Sequence, residues 1–261
     1  MRSRRRWAVL GRCGRAAILL MVALFLWRSD LAALAQPQLG GALVLDGVDD
    51  FAEAADHPAL DLAGGSFTVE AWVNFGRLLW EEVFMKAGAY GLHVEHTYSY
   101  PRWNDGMGID YPCLKVCVTS SRYLSTGWHH VALVYDATAG QARAYYDGVQ
   151  RCACDCTPQD SSQPLWVGQG LTRDALQGAI GEFRISNVAR YAGTFTPPLE
   201  PFTCDEATVA LWHFDECDGA TVFQDICGPT HHLLVGQNGA HVAGSCPYRM
   251  YAPTVRKEHV E

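Results

Sequence analysis

The chain has 261 residues, 49% of them hydrophobic and 18% charged, and its 28 acidic against 20 basic side chains give a formal charge of −8. A surface with that surplus repels phosphate backbones, so nucleic acid is not expected as a partner. The length is sufficient for one well-filled core, since all-β sandwiches commonly run to about 200–250 residues. The first 35 residues read as an export signal rather than part of the fold. Arg2, Arg4, Arg5, Arg6, Arg12, Arg15 and Arg28 surround the apolar run Ala16–Trp27, and Ala33-Leu34-Ala35 supplies an A-x-A cleavage site. That run, about 12 residues, is short for a bilayer span. Cleavage removes seven of the 20 basic residues and one of the 28 acidic ones, leaving 13 against 27 and a formal charge of −14 on a chain beginning at Gln36. No later apolar run is long enough to insert in a membrane. The chain is expected to be secreted, extracellular or at a cell surface.

Beyond the signal, hydrophobic alternation marks the strands. In Phe67-Thr68-Val69-Glu70-Ala71-Trp72-Val73-Asn74-Phe75 the odd positions are apolar, the pattern of a strand with one face on a core. Thr68, Glu70 and Asn74 face the other way, with Trp72 as an amphipathic exception. Leu92–Glu95 and Val116–Thr119 read as weaker strands. Trp128–Tyr135 is stronger, and Ala142–Tyr146 follows after a turn rich in Asp, Thr and Gly. Asp147-Gly148 turns again. Leu165–Gly168 and Gly178–Ser186 close the series, and Pro197-Pro198 ends it. Short strands, regular turns and no long helical pattern predict an all-β sandwich or jelly roll.

The wording of these segments adds to the pattern. LDGVDDF followed by SFTVEAWV, then GWHHVALVYDATAGQARAYYDGVQ, then LWVGQG and GAIGEFRISNVARY, resembles the laminin-G-like members of the concanavalin A-like lectin/glucanase superfamily over about Gly40–Phe195. The resemblance implies an antiparallel two-sheet jelly-roll sandwich over residues 40–202. It chooses no ligand, because that fold carries lectins, glycosidases and adhesion modules. The segment Thr208–Glu216, with Asp218–Asp225 and Thr230-His231-His232, resembles the beginning of such a domain, yet here it comes last, in a Cys-rich tail spanning 203–250 before a flexible end at 251–261. A truncated repeat would leave Leu211, Trp212 and Phe214 on an unpaired strand. Folding back is therefore favoured, with Ala210–Phe214 pairing near Leu43–Leu45.

Nine cysteines lie beyond the signal, a usage that fits an oxidising compartment and leaves at least one unpaired or in an intermolecular bond. Cys113 and Cys117 are close enough to staple the entry of their strand. Cys217–Cys227 would close a turn around Asp218-Gly219, and Cys204–Cys246 would tie the two ends of the tail. The run Cys152-Ala153-Cys154-Asp155-Cys156 is where the spare thiol is expected. Its three sulfurs could also be read as a zinc site, but that needs a fourth ligand and a reduced state.

The expected ligand surface is Gly88–Tyr111, where Tyr90, Tyr98, Tyr100, Trp103 and Tyr111 offer stacking rings and Asn104, Asp105 and Asp110 offer hydrogen bonds; within it Tyr98–Gly106 reads as an exposed loop. Asp46, Asp49 and Asp50 supply hard oxygens within one turn, as Ca²⁺ requires. The resemblance implies calcium near this turn or on an Asp of the last strand, where this chain instead has Gly181. Glycosidases of the fold carry closely spaced carboxylates on one strand. Here Glu81 and Glu82 are adjacent and must point oppositely, while Glu182 reads as structural. His93 and Glu95 would share a strand face, with His96 on the other. The expected function is a secreted, non-catalytic binding or adhesion module for extracellular glycan or a protein partner. A glycoside hydrolase or lyase of the same fold, or a structural module of a cell-surface assembly, are the alternatives.

Overall fold

The computed structural model describes residues 37–99, 102–171, 174–227 and 232–244. The expected signal at 1–35, the Tyr100 ring, the Trp103 side chain, His231, Cys246 and the expected flexible end at 251–261 lie outside the described part. The described residues form sixteen strands. The first eight are β1 (Ala42–Asp46), β2 (Phe51–Ala54), β3 (Phe67–Phe75), β4 (Trp80–Lys86), β5 (Tyr90–Ser99), β6 (Arg102–Tyr111), β7 (Lys115–Thr119) and β8 (Gly127–Asp136). The rest are β9 (Gln141–Tyr146), β10 (Val149–Asp155), β11 (Leu165–Val167), β12 (Gln177–Ser186), β13 (Thr208–Trp212), β14 (Val222–Gln224), β15 (Leu233–Gln237) and β16 (His241–Ala243).

They make two antiparallel eight-stranded sheets, the jelly-roll sandwich that the alternation and the resemblance implied. One has the order β10-β9-β8-β3-β12-β1-β16, with β13 also on β12; the other runs β14-β15-β2-β11-β4-β5-β6-β7. The apolar positions of β3 all turn inward and are fully buried, and they meet Val131, Leu133 and Tyr135 of β8 in register. Rings join the two layers across the core: Phe84 of β4 meets Phe183 of β12 edge to face at 5.5 Å, and Phe67 lies 6.0 Å from Tyr90. The Asp147-Gly148 turn takes positive φ at both residues (49° and 72°), as a two-residue hairpin turn requires. Gly148 is needed twice over, because a Cβ there would lie 1.9 Å from the Phe195 carbonyl oxygen.

The tail strands enter both sheets. β12 is ten residues long, and its two halves serve different partners: Leu43 of β1 faces Ile180, while Trp212 of β13 faces Phe183. The segment expected beside Leu43–Leu45 therefore runs along the far half of β12, and Leu43 pairs on its free side with Val242 of β16. β15 adds to β2 in the second sheet and carries β14 outside it. Trp212, Phe214, Phe223, Leu234 and Val242 are all buried in the main core.

Two further readings of the sequence are corrected. The stretch Tyr98–Gly106 is not a loop but the distal part of the β5–β6 hairpin, with Tyr98 facing Trp103 and Glu95 facing Gly106. Its alternation was hidden because the core-facing side, which carries Met107 and Ile109 further along, holds the buried polar Asp105, while the outward side holds Gly106. The cysteine pairs also differ. Cys113 bonds Cys154 and Cys117 bonds Cys152, so neither staples the other. Within one strand these two residues would brace nothing, whereas across the sandwich they tie edge strand β7 and its entry to edge strand β10. Cys204 bonds Cys227, which rules out Cys217–Cys227 and Cys204–Cys246; Cys217 is disulfide-bonded elsewhere. The Cys204–Cys227 bridge joins the segment entering β13 to the turn after β14. Finally, Thr68, Glu70 and Trp72 do point away from the core but do not meet water. Residues 187–203 cross that outer face as a strap and bury them.

Candidate functional site

The two outer faces of the sandwich differ. On the first sheet the strap packs Ala189, Tyr191 and Phe195 onto Ala132, Val134 and Tyr145, and sets Leu199 and Phe202 against Trp72 and Leu211. Beneath it lies a polar network centred on Glu70. Its Oε1 accepts from Arg184 Nε and Nη2 at 2.9 and 2.7 Å, and its Oε2 accepts from His130 Nε2 at 3.0 Å and the Tyr191 hydroxyl at 2.7 Å. Burial alone would raise the Glu70 carboxyl; the bond and charge of His130, the Arg184 guanidinium and the tyrosine outweigh it and hold the group down at about 2. Glu182, read as structural, is so: it accepts from the Phe202 backbone N–H at 2.9 Å and from His213 at 2.5 Å.

The second sheet keeps more of its outer face open. Side chains directly opposite on antiparallel strands share a face, so the registers give its rows. One runs Val222, Val235, Glu53, Trp166, Met85, Gly91 across five neighbouring pairings. Trp166 is half-buried, donates its indole N–H to Glu53 Oε2 at 2.8 Å and meets the Phe51 ring edge to face at 5.7 Å. Val222, Leu233 and Val235 are exposed beside it. A shallow hollow of about 460 Å³ opens at this end, lined among others by Glu53, Asp56, His57, His232 and Val235. Toward the hairpin a second row runs Trp80, Glu95, Gly106, Val118, with Trp80 39% exposed. Local pattern marks neither indole: the short strand around Trp166 has no alternation that fixes its facing, and in β4 Glu81 and Glu82 interrupt the alternation that would have placed Trp80.

Between the indoles sits a buried cluster. Glu82, His93 and Asp110 bring one ligand atom each within 4.8 Å of the others. The His93 ring lies on Gly108, where a Cβ would come within 1.9 Å of it, and its Nδ1 is 2.5 Å from Asp110 Oδ2. Both carboxylates are buried, whereas a glycosidase sets its pair of carboxyls on either side of the scissile bond of a bound sugar. Glu81 points the other way, as its adjacency demanded, accepting from Arg77 Nε at 2.8 Å. His93 thus partners residues on neighbouring strands, not Glu95.

Of the residues singled out in the sequence, Tyr98 is 53% exposed and Asn104 and Tyr111 are half-buried, whereas Tyr90 lies in the main core and Asp110 is buried against His93, so neither of these two is open to a ligand. Asp105 is fully buried and spent on structure: its carboxylate accepts from the Tyr123 backbone N–H, from Leu124 N–H at 2.7 Å and from His96 at 2.7 Å. It pins the segment before β8 to the hairpin and is closed to ligand. Asp46, Asp49 and Asp50 do converge within 4.8 Å. Asp46 Oδ1 accepts from Val48 N–H and Asp50 Oδ2 from Asp46 N–H, which are bonds of the turn itself. Burial raises the Asp50 carboxyl, while the Val48 N–H bond lowers that of Asp46. The donor set is all hard oxygen and fits Ca²⁺ chemically.

No curated protein matches this sequence. Among solved structures, a protein of Bacteroides ovatus provisionally described as carbohydrate-binding superposes with a TM-score of 0.60 at 18% identity, over 78% of this chain and 59% of that one. This chain therefore spans less than two thirds of that neighbour. A heptameric SAP-like pentraxin of Limulus polyphemus aligns at 0.43 and 13% identity over 78% of this chain and all of its own. Domains LG4-5 of the mouse laminin alpha1 chain align at 0.41 and 12% over 60% and 47%. A laminin G family model matches residues 46–194, more than half of the sequence, and by it the chain belongs to the concanavalin A-like lectin/glucanases superfamily.

Proposed function

We propose that this chain is a secreted, non-catalytic glycan-binding module that receives its ligand on the open outer face of the second sheet. The observation that carries this reading is the asymmetry of the sandwich. One outer face is sealed by a strap, while the other leaves Trp80 exposed and Trp166 half-exposed on strands of one sheet, with Glu53, Glu95 and the hollow between β2 and β15 beside them. Sugar rings present C–H faces that stack on indoles and hydroxyls that bond to carboxylates. The Bacteroides ovatus neighbour, provisionally described as carbohydrate-binding, accords with the reading, although the likeness itself carries the fold alone. The burial of Glu82 and Asp110 favours binding over hydrolysis. The disulfides fit an oxidising extracellular setting. Calcium at Asp46, Asp49 and Asp50 belongs to the same reading, as an aid to the turn that leads into β2.

A glycan array probed with and without CaCl₂, followed by calorimetry on the best sugar, tests it. Trp166→Ala and Trp80→Ala are each expected to weaken binding about tenfold or more, the loss typical of a central aromatic contact. Tyr98→Ala separates this face from the hairpin tip: if it abolishes binding while the tryptophan variants bind normally, the ligand sits on the tip. An array with no bound glycan under either condition rejects the reading.

A further inference from the structure

The seam between the sheets holds five cysteines where its two bridges need four. Cys152, Cys154 and Cys156 stand two residues apart at the end of β10, so all three lie on one side of the strand. Cys156 continues the ladder, its N–H bonding Gly140 O at 3.0 Å. Cys117–Cys152 and Cys113–Cys154 close the seam in sequence, and Cys156 is the next step of the same staircase with its thiol free. The Sγ atoms of Cys113, Cys154 and Cys156 all lie within 4.8 Å of one another. Cys156 is half-buried, within reach of small reagents.

We propose that Cys156 and the Cys113–Cys154 disulfide form a three-sulfur exchange site in which the free thiol moves between Cys156 and Cys154. The Cys156 thiol gives its proton to solvent, and the thiolate attacks Cys113 Sγ. The Cys113–Cys156 bond forms, the Cys113–Cys154 bond breaks, and Cys154 leaves as a thiolate that takes up a proton. One disulfide and one thiol exist before and after, so no oxidant or reductant enters. Cys113 is the pivot because it faces the strand from the turn after β6. Cys154 and Cys156 are strand neighbours about 6.6–6.8 Å apart at Cα, at the upper limit for a bridge. Cys117–Cys152 takes no part and holds the seam during the exchange. Burial pushes the Cys156 thiol up, so the exchange is slow at neutral pH and speeds up about tenfold per pH unit while the thiol remains mostly protonated.

The test is thiol trapping on the full chain. Protein held at pH 6.5 or pH 8.5 is treated with N-ethylmaleimide, digested without reduction using a protease that cuts before Asp155, and mapped by mass spectrometry. The expected result is label on Cys156 at pH 6.5 and, at pH 8.5, additional label on Cys154 together with a Cys113–Cys156 linked peptide. Cys156→Ser should abolish the Cys154 label. Cys154→Ser should trap the alternative state, with Cys113 and Cys156 bridged and no free thiol. Label confined to Cys156 at both pH values, Cys154 label that persists in Cys156→Ser, or two alkylated thiols at Cys113 and Cys156 in a folded Cys154→Ser protein would each overturn the proposal.

Discussion

The two outer faces of this sandwich carry the same kind of sequence and meet opposite fates. β3 and β8 turn Glu70, Trp72 and His130 away from the core, and β4, β11 and β5 turn Trp80, Trp166 and Glu95 away from it. In both cases a polar–aromatic mixture alternates with apolar residues. On the first sheet that mixture is roofed by residues 187–203 and becomes a second, polar core; on the second it stays largely at the surface. Alternation along a strand therefore reports which side chains leave the main core. It does not report what covers them, because the cover comes from a segment distant in the chain. The same acidic residue type is fully buried at Glu70 on one face and partly open to solvent at Glu53 and Glu95 on the other.

The comparison is broken most severely by removing what both sheets share. Ending the chain at Pro201 deletes β13 to β16 and takes Leu211, Trp212, Phe214, Phe223 and Leu234 out of the interior. At about 1.5–3 kcal/mol for each buried side chain, the loss rivals the whole stability of a domain, about 5–15 kcal/mol. The shortened chain is expected to aggregate or to elute without a cooperative melt. A monomer that melts at the full-length temperature would show that the tail is dispensable. Next in size is Glu70→Ala. It strands Arg184 and His130 under the strap, a cost of about 3–5 kcal/mol, or a fall in Tm of roughly 6–20 °C for a domain of this size. Glu53→Ala, on the open face, should move Tm by no more than about 1–2 °C, because water replaces the lost bond. Equal shifts for the two would mean that the faces are energetically alike.

This asymmetry also marks how far the sequence could be read. The central strands, the Asp147-Gly148 turn and the order of the motifs were legible because local period and turn chemistry carry them. The folding back of the tail was legible in outline, since Leu211, Trp212 and Phe214 had to be buried somewhere. Its register was not, because β12 offers two halves and only packing decides between them. Asp105 looked like a ligand residue because its type and its aromatic neighbours fit that role; the two backbone N–H groups that consume it come from residues 123 and 124. The disulfides failed for the same reason. Sequence proximity suggested Cys113 with Cys117, while the edges of two sheets, remote in sequence, set the real pairs. Glu82, His93 and Asp110 gather from three strands and leave no local signal.

Acid should separate the faces by a smaller amount. The Glu70 carboxyl is held at about 2, below its ordinary value of 4.5. A carboxyl depressed on folding contributes stability that is present above the unfolded value and is lost as pH falls toward the folded one. The contribution is therefore intact above about pH 5 and disappears between about pH 4.5 and pH 2. Hydrogen exchange should register this in the strap first, at the Arg190 N–H bonded to Thr68 Oγ1 and the Phe195 N–H bonded to Gly148 O, while the amides of β3 keep their protection. Loss of protection at both together would mean that the strap is not a separate unit.

The finest comparison is a single bond on each face. Tyr191→Phe removes the hydroxyl that donates to Glu70 Oε2 at 2.7 Å and nothing else. The ring stays stacked on Phe195 at 3.5 Å, and His130 still donates to the same oxygen. A hydrogen bond to a charged group is worth about 1.5–3 kcal/mol when its loss leaves a buried acceptor short. With His130 remaining, the expectation is about 1–1.5 kcal/mol, read as a lower urea midpoint at unchanged m-value. The counterpart is Trp166→Phe, which removes the indole N–H donated to Glu53 Oε2 at 2.8 Å. On a half-exposed face water takes up that acceptor, so the change should stay within about 0.5 kcal/mol, while binding of any sugar stacked on the indole weakens. If Trp166→Phe destabilises as much as Tyr191→Phe, then Glu53 and Trp166 belong to a buried structural network like that of Glu70, and the open face loses its claim to the ligand.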